Sequence, residues 1–391
     1  MFDEALKFVL QKLVCLKKDP LLLGETVGID CMAMRKPKAT TVVAVVGIAL
    51  VITTLTQVFF LESQQNLVIG SVPVPFTSND NNKIDESLVV WEKQKEWLCG
   101  NRVPNLEAAA KTFHTAQNVF LPDENVELLH REATDRFFSH WPGHVTYRES
   151  DTNHRAIALR TYKCGSLTIL YYFQNMLSTF GGDVYTSLYW NDFPQHDEGL
   201  GCIVSSFRDP VSHFLSGLGE VEAKKGKPEA SYERLKKATP ERFLAFLRFL
   251  LDGEWLRAKK FRNNTKFLGH VYTQSGHLLH LNSVNKTITK FINLKDINEN
   301  FVEVLKDSCS MPDTIPPLTK SKRHAKIKGL DGLLKDLWAN ANAGVASGEV
   351  QRAFQSICLL NAVDYACLAP DLKELPPSIC WDTFQKYLPK F

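Results

Sequence analysis

Apolar residues are unevenly spread along this chain, and their pattern divides it into stretches of different character. From Ala39 to Leu61 the chain reads ATTVVAVVGIALVITTLTQVFFL, without a charged residue. A helix over that run rises far enough to cross the ~30 Å hydrocarbon core of a bilayer. Residues 62–100 are mostly polar and rich in turn formers (SQQN, PVP, SNDNNK), closing on Trp91, Trp97 and Cys99, which reads as a stem. Beyond Arg102, short apolar runs alternate with longer amphipathic ones. Ala156–Leu159 and Cys202–Phe207 read as buried strands, each followed by a helix, over Leu167–Phe180 and Val211–Ala223. Arg242–Leu251 is an apolar helix opened by Thr239-Pro240-Glu241. Thr287–Ile292 is strand-like, Asn300–Lys306 helical, and the C-terminal third mainly helical. Strands alternating with helices predict an α/β domain around a mainly parallel sheet.

The flanks of the apolar run orient it. Arg35, Lys36 and Lys38 precede it, whereas Glu62, Asp80, Asp85 and Glu86 follow. The positive-inside rule then places residues 1–38 in the cytosol and the rest across the membrane, as a single-pass type II protein. No small-x-small cleavage site follows Phe59-Phe60, so a signal-anchor is expected rather than a removed leader. The expected organisation is a tail over 1–38, an anchor over 39–61, a stem over 62–100 and a folded domain over 101–391.

Composition adds limits. With 391 residues, 44% hydrophobic and 23% charged, the chain holds enough apolar material for a large buried core. A formal net charge of +3 over that length argues against a bulk nucleic-acid binder. Seven of the nine cysteines, Cys99, Cys164, Cys202, Cys309, Cys358, Cys367 and Cys380, follow the apolar run, on the side where disulfides persist. An odd number leaves one thiol free. Cys358, Cys367 and Cys380 are close enough for local bridges, with connectivity open. The sequons Asn263-Asn264-Thr265 and Asn285-Lys286-Thr287 lie on the same side. No Cys or His spacing suits a metal, so none is expected.

Two segments carry candidate chemistry. Thr161-Tyr162-Lys163-Cys164-Gly165-Ser166-Leu167-Thr168 lies between a strand and a helix. Backbone N–H groups at a helix start, a lysine and hydroxyls together make an anion cradle. It is not a Walker A loop, since GxxxxGK[ST] is absent. Pairing Cys164 would distort that loop, so it is expected to be the free thiol. The second segment, GCIVSSFRDPVSHFLSG over residues 201–217, is a strand ending in Arg208-Asp209-Pro210 and a helix bearing Ser216. Asp209 suits a cap, Pro210 the first helical turn, and Arg208 a forked grip on phosphate.

A Lys-x-Gly-Ser loop after one strand, then strand–Arg-Asp-Pro–helix–Ser some forty residues on, resembles the Golgi carbohydrate sulfotransferases. The resemblance implies a P-loop-like sulfotransferase fold that uses 3′-phosphoadenosine 5′-phosphosulfate (PAPS) as sulfuryl donor. It assigns Lys163, Cys164, Gly165, Ser166 and Thr168 to the 5′-phosphosulfate, and Arg208 and Ser216 to the 3′-phosphate. Phe267–Gln274 with Lys290–Leu294, and Asp364-Tyr365-Ala366-Cys367, are similar more loosely. Leu167 stands where a hydroxyl residue is frequent, and Thr273 where proline is usual.

In such an enzyme Lys163 would stabilise the leaving group, and His196, His270 or Glu198 would take the acceptor's proton. The implied acceptor is a glycan hydroxyl in the Golgi lumen. The run Lys320, Lys322, Arg323, His324, Lys326 and Lys328 suits an acidic glycan, and Lys224, Lys225 and Lys227 add to it. Trp190 and Trp255 are candidate sugar-stacking rings, with the core as the plainer reading. Competing readings are a lumenal glycosyltransferase, disfavoured by the lack of Asp-x-Asp, and a silent nucleotide- or glycan-binding protein.

Overall fold

The computed structural model describes residues 81–122, 131–150, 155–194, 200–223, 239–253, 268–318, 330–372 and 375–391. All of them fall within one compact unit, Thr77–Phe391. The expected anchor, 39–61, lies outside the described residues, among which no helix is long and apolar enough to cross a membrane.

Five strands form the central sheet: β1 (His144–Arg148), β2 (Arg155–Leu159), β3 (Asp183–Ser187), β4 (Leu200–Phe207) and β5 (Lys290–Asn293), in the order β3-β1-β2-β4-β5. β2, β4 and β5 are parallel neighbours, while β1 pairs antiparallel with both β2 and β3. Four strands therefore share a direction and β1 runs against them. The sheet is mixed, which corrects the mainly parallel expectation. The connection from β1 to β2 is only a few residues long, and so short a link joins strands only antiparallel. β1 (HVTYR) carries only two apolar residues, Val145 and Tyr147, so it lacks the apolar run that marks β2 and β4, although four of its five residues are buried.

Strand alternation splits the core between the faces of the sheet. Ala156, Ala158, Cys202 and Val204 pack with residues of α4 (Ser166–Phe180) and α8 (Ile297–Asp307). Ile157, Leu159 and Ile203 pack instead with Trp141, Phe193 and Leu281, the last from α7 (His277–Ser283). Cys202–Cys309 ties β4 to the end of α8.

A larger helical core carries the rest. It includes α1 (Asn81–Leu98), α2 (Leu106–Phe120), α3 (Arg131–Phe138), α5 (Pro210–Ala223) and α6 (Pro240–Leu251). The C-terminal helices α9 (Leu330–Asn342), α10 (Gly348–Leu360), α11 (Ala362–Cys367) and α12 (Ser378–Tyr387) complete it. α6 starts as its sequence implies, with the Thr239 hydroxyl accepting from the Arg242 N–H and Pro240 in the first turn.

The folded unit begins before residue 101. Trp91 of α1, expected in the stem, is 2% exposed and stacks on Phe384 at 5.2 Å. The Gln94 amide donates to the carbonyl of Pro389 at 3.1 Å, and Cys99–Cys367 links the end of α1 to α11. Cys358–Cys380, the local bridge, joins α10 to α12. Polar residues between the apolar ones of α1 disguise it as a linker.

Trp91→Ala empties a stacked, fully packed site and should cost about 3–5 kcal/mol. Denaturant unfolding of the wild type and variant measures this, and a change below about 1 kcal/mol would return α1 to the stem.

Candidate anion site

β2 and β4 are hydrogen-bonded neighbours, with Leu159 opposite Ser205. After β2 the chain passes through α4 to β3 on one side of the sheet, and after β4 it proceeds to β5 on the other. A crevice therefore opens at the C-terminal ends of β2 and β4, the usual place for a ligand in an open α/β sheet.

The loop after β2 is tightly wound. The Cys164 N–H donates to the Thr161 carbonyl at 3.2 Å, and Lys163 takes a left-handed conformation with φ of 63°. Such a conformation costs a non-glycine residue on the order of 1 kcal/mol, and the surrounding contacts hold it in place. Gly165, at φ 87°, caps α4, and the Ile169 N–H returns to its carbonyl at 3.0 Å. That φ favours glycine, and a Cβ on Gly165 would lie 2.8 Å from the Cδ1 of Ile297, which would have to give way for the loop to stay packed on α8.

The loop after β4 is capped from within. Asp209 accepts from the Ser212 N–H at 2.7 Å through one carboxylate oxygen, and from the Tyr365 hydroxyl at 2.9 Å through the other. The aspartate thus opens α5 and ties it to α11. His213, one turn in, meets the Tyr162 carbonyl at 2.9 Å through Nε2, joining the two loops.

Gln274 joins them a second time. Its Oε1 accepts from the Arg208 N–H at 2.8 Å and from the Cys164 thiol at 3.0 Å, while its Nε2 donates to the Arg208 carbonyl at 2.8 Å. The Gln274 N–H in turn donates to Asp364 at 2.8 Å, and Ser275 donates to the same carboxylate through its N–H and hydroxyl. The two loosely similar segments noted in the sequence, ending in Gln274 and starting with Asp364, are therefore in contact.

These loops line a cavity of about 640 Å³. Lys163, Gly165, Ser166 and Thr168 face it from the first loop and the start of α4, and Arg208 and Ser216 from the second loop and α5. His270 also lines it, in a 3₁₀ turn (Leu268–His270), with its ring 4.5 Å from that of Tyr162. That turn sits close because Gly217 has no side chain; a Cβ there would fall 1.8 Å from the His270 carbonyl oxygen. Six of the seven residues proposed for the nucleotide, with His270, thus meet at one opening.

Cys164 is the exception. It is free, as expected, but wholly buried behind the loop, where its carbonyl accepts from the Ser206 hydroxyl. Burial pushes its thiol far up, so the sulfur acts as a protonated donor to Gln274 rather than a ligand contact. His196, Glu198, Trp255, the sequon at Asn263 and the basic runs lie outside the described residues. Trp190 packs on Trp141 and Phe193 at 4.7 and 5.1 Å, the core role. Asn285 of the other sequon is exposed in the turn between α7 and β5.

Several lining residues were not anticipated. Arg160, at the end of β2, adds positive charge, and Glu220, one turn beyond Ser216 on α5, adds negative charge. α9 contributes Asp331, Lys335 and Trp338, from a helix with no sequence link to either motif. Nothing local to Gln274 reveals that its amide spans both loops. Among the described residues no group of three or more His, Cys, Asp or Glu is placed to hold a metal. No family model matches the chain, and no curated protein or solved structure matches it either.

Behind the charged opening the titratable groups are buried. Desolvation lowers His213 and His277 to about 3, and His140 and His144 to about 4, so all four are neutral near pH 7. Desolvation raises Asp364 to about 6, against the hydrogen bonds from Ser275 and Gln274.

The histidines are lowered from the unfolded value of about 6.5, so the unfolded chain binds protons first as the pH falls, and stability is lost. Asp364 is raised and works oppositely between about pH 4 and pH 6. Four imidazoles against one carboxyl leave about three protons taken up on unfolding, so stability from this set should fall by about 4 kcal/mol per pH unit near pH 5. Unfolding free energies measured from pH 7 to pH 4.5 check this; a flat profile would contradict the neutral buried imidazoles.

Proposed function

We propose that this chain is a PAPS-dependent sulfotransferase of the P-loop-like fold, acting on a glycan hydroxyl. The observation that carries the reading is the convergence of Lys163, Gly165, Ser166 and Thr168 with Arg208 and Ser216 on one cavity at the ends of two parallel strands. The two motifs are separate in sequence, and their meeting supports a ligand with two anionic ends.

The donor set suits that ligand. The start of α4, with Lys163 and Ser166, would hold the 5′-phosphosulfate, and Arg208 with Ser216 the 3′-phosphate. The nucleotide supplies the sulfuryl group when bound. Lys163 would balance the charge that builds on the departing nucleotide, as a fixed cation in a partly dry site. His270 faces the same cavity and is the described candidate to take the acceptor's proton on a ring nitrogen, with His196 as its rival. A Golgi-lumenal location on a type II anchor is part of the proposal. It is supported by the apolar run at 39–61 and by three disulfides, which suit an oxidising compartment.

One observation favours a second reading, binding without turnover: the Lys163 ammonium already meets the Glu220 carboxylate at 2.9 Å. Sulfuryl transfer to any glycan would exclude it.

Thermal unfolding of the full-length chain with 3′-phosphoadenosine 5′-phosphate, and with ATP as control, tests the nucleotide. At a hundred times its Kd a true ligand adds about 2.7 kcal/mol, a rise of a few degrees. A rise specific to the 3′-phosphorylated nucleotide supports the reading, and no rise with a well-folded sample overturns it.

Arg208→Ala should weaken that nucleotide at least tenfold, because a charge-assisted contact is worth about 1.5–3 kcal/mol. Lys163→Ala should lower turnover more than affinity. Titration calorimetry on Arg208→Ala decides the first point, and wild-type affinity there would remove the 3′-phosphate assignment.

A further inference from the structure

An anion site would ordinarily repel carboxylates, yet this cavity contains two. Glu220 reaches in from α5 and Asp331 from α9. They are near one another in the fold: a Cβ on Gly219, the residue before Glu220, would lie 3.4 Å from the Asp331 Oδ1. Glu220 holds the ammonium of Lys163 at 2.9 Å, and the two side chains are 20% and 11% exposed. The pairs Lys95–Glu92, Arg102–Asp371, Lys111–Glu107 and Arg148–Asp183 each have a partner at least 46% exposed. Exposed pairs of that kind contribute little, whereas a sheltered pair is strongly coupled.

The placement of the pair gives it a function. Lys163 is the cation of the first loop, held there by a left-handed backbone, and Glu220 lies one helical turn beyond Ser216 on the same side of α5. A ligand anion and the Glu220 carboxylate therefore compete for the same three N–H donors of Lys163. Displacement breaks the sheltered Lys163–Glu220 pair, in a cavity that Asp331 also lines, so only a strongly charged anion repays it.

We infer that Glu220 is a specificity-determining counter-ion. It occupies Lys163 until a ligand group of higher charge, a phosphate or phosphosulfate, takes its place, and it keeps singly charged or neutral compounds out of the loop. The inference rests on the anion-site reading above and adds to it a residue that the sequence resemblance does not assign.

Glu220→Gln keeps the shape of the side chain and removes the competing charge. The expected result is tighter binding of 3′-phosphoadenosine 5′-phosphate by on the order of tenfold, about one charge-assisted hydrogen bond regained by the ligand. Glu220→Ala should move the same way, which guards against a local effect of the new amide. In a Lys163→Met background the same Glu220→Gln change should give a clearly smaller gain, since the cation they compete for is gone and only direct repulsion of the ligand is relieved. Unchanged or weaker binding in both Glu220 variants, or an equal gain without Lys163, would overturn the inference. Inorganic sulfate, titrated in parallel, separates this from the nucleotide proposal. If the wild type ignores the nucleotide but Glu220→Gln still tightens sulfate, the counter-ion stands and the cofactor reading falls. If sulfate shows no tightening either, the counter-ion falls with it.

Discussion

The side-chain amide of Gln274 is the interaction on which the site depends. Three groups converge on it: the N–H and carbonyl of Arg208 and the thiol of Cys164. Each buried hydrogen bond is worth only about 1 kcal/mol net, but stranding a buried donor or acceptor costs about 1–3 kcal/mol. One amide thus links residues 164, 208 and 274, and its backbone brings in Asp364. A carboxamide suits this position because it offers an acceptor and a donor at once, as the two edges of a peptide do. The spacing between the two anion-facing loops follows from that clamp and from the His213 bond to the Tyr162 carbonyl.

Charge is sorted by depth around the clamp. Lys163, Arg208 and Glu220 face the cavity, Lys163 and Glu220 as a sheltered pair. Behind them lie His140, His213 and His277, neutral through desolvation, and a thiol that keeps its proton. Neutral supports suit a cationic opening, because a buried imidazolium would face desolvation and, at His213, the field of Arg208 and Lys163 as well. Asp364 is the one buried carboxyl in the clamp, and the N–H and hydroxyl donors of Gln274 and Ser275 accompany it.

The helical layer is closed by contacts between the two ends of the folded unit. α1 packs on α11 and α12, and Cys99–Cys367 and Cys358–Cys380 fasten the same region. Asp364 and Tyr365 sit on α11, within that layer, and reach the loops through Ser275 and Asp209. Anchoring the C-terminal helices therefore also holds the base of the site, which connects α1 to a cavity it does not line.

Local pattern alone determined much of this protein. The β2 and β4 strands, the helices α4, α5, α6 and α8, the Asp209 cap and the left-over thiol at Cys164 follow from short-range chemistry: turn residues, capping groups and apolar periodicity. The loops at Lys163 and Arg208 were legible for the same reason, since an anion cradle needs its residues within a few positions of one another. Only the tertiary structure decided that both loops share a cavity, and that β1 enters the sheet against the other strands. It also decided that α1 belongs to the core, that Cys367 pairs with Cys99, and that α9 forms a wall. Gln274, Glu220 and Asp364 take their roles from partners 57 to 110 residues away. Pairings at that range depend on how the helices and sheet pack, and packing leaves no periodic trace in the chain.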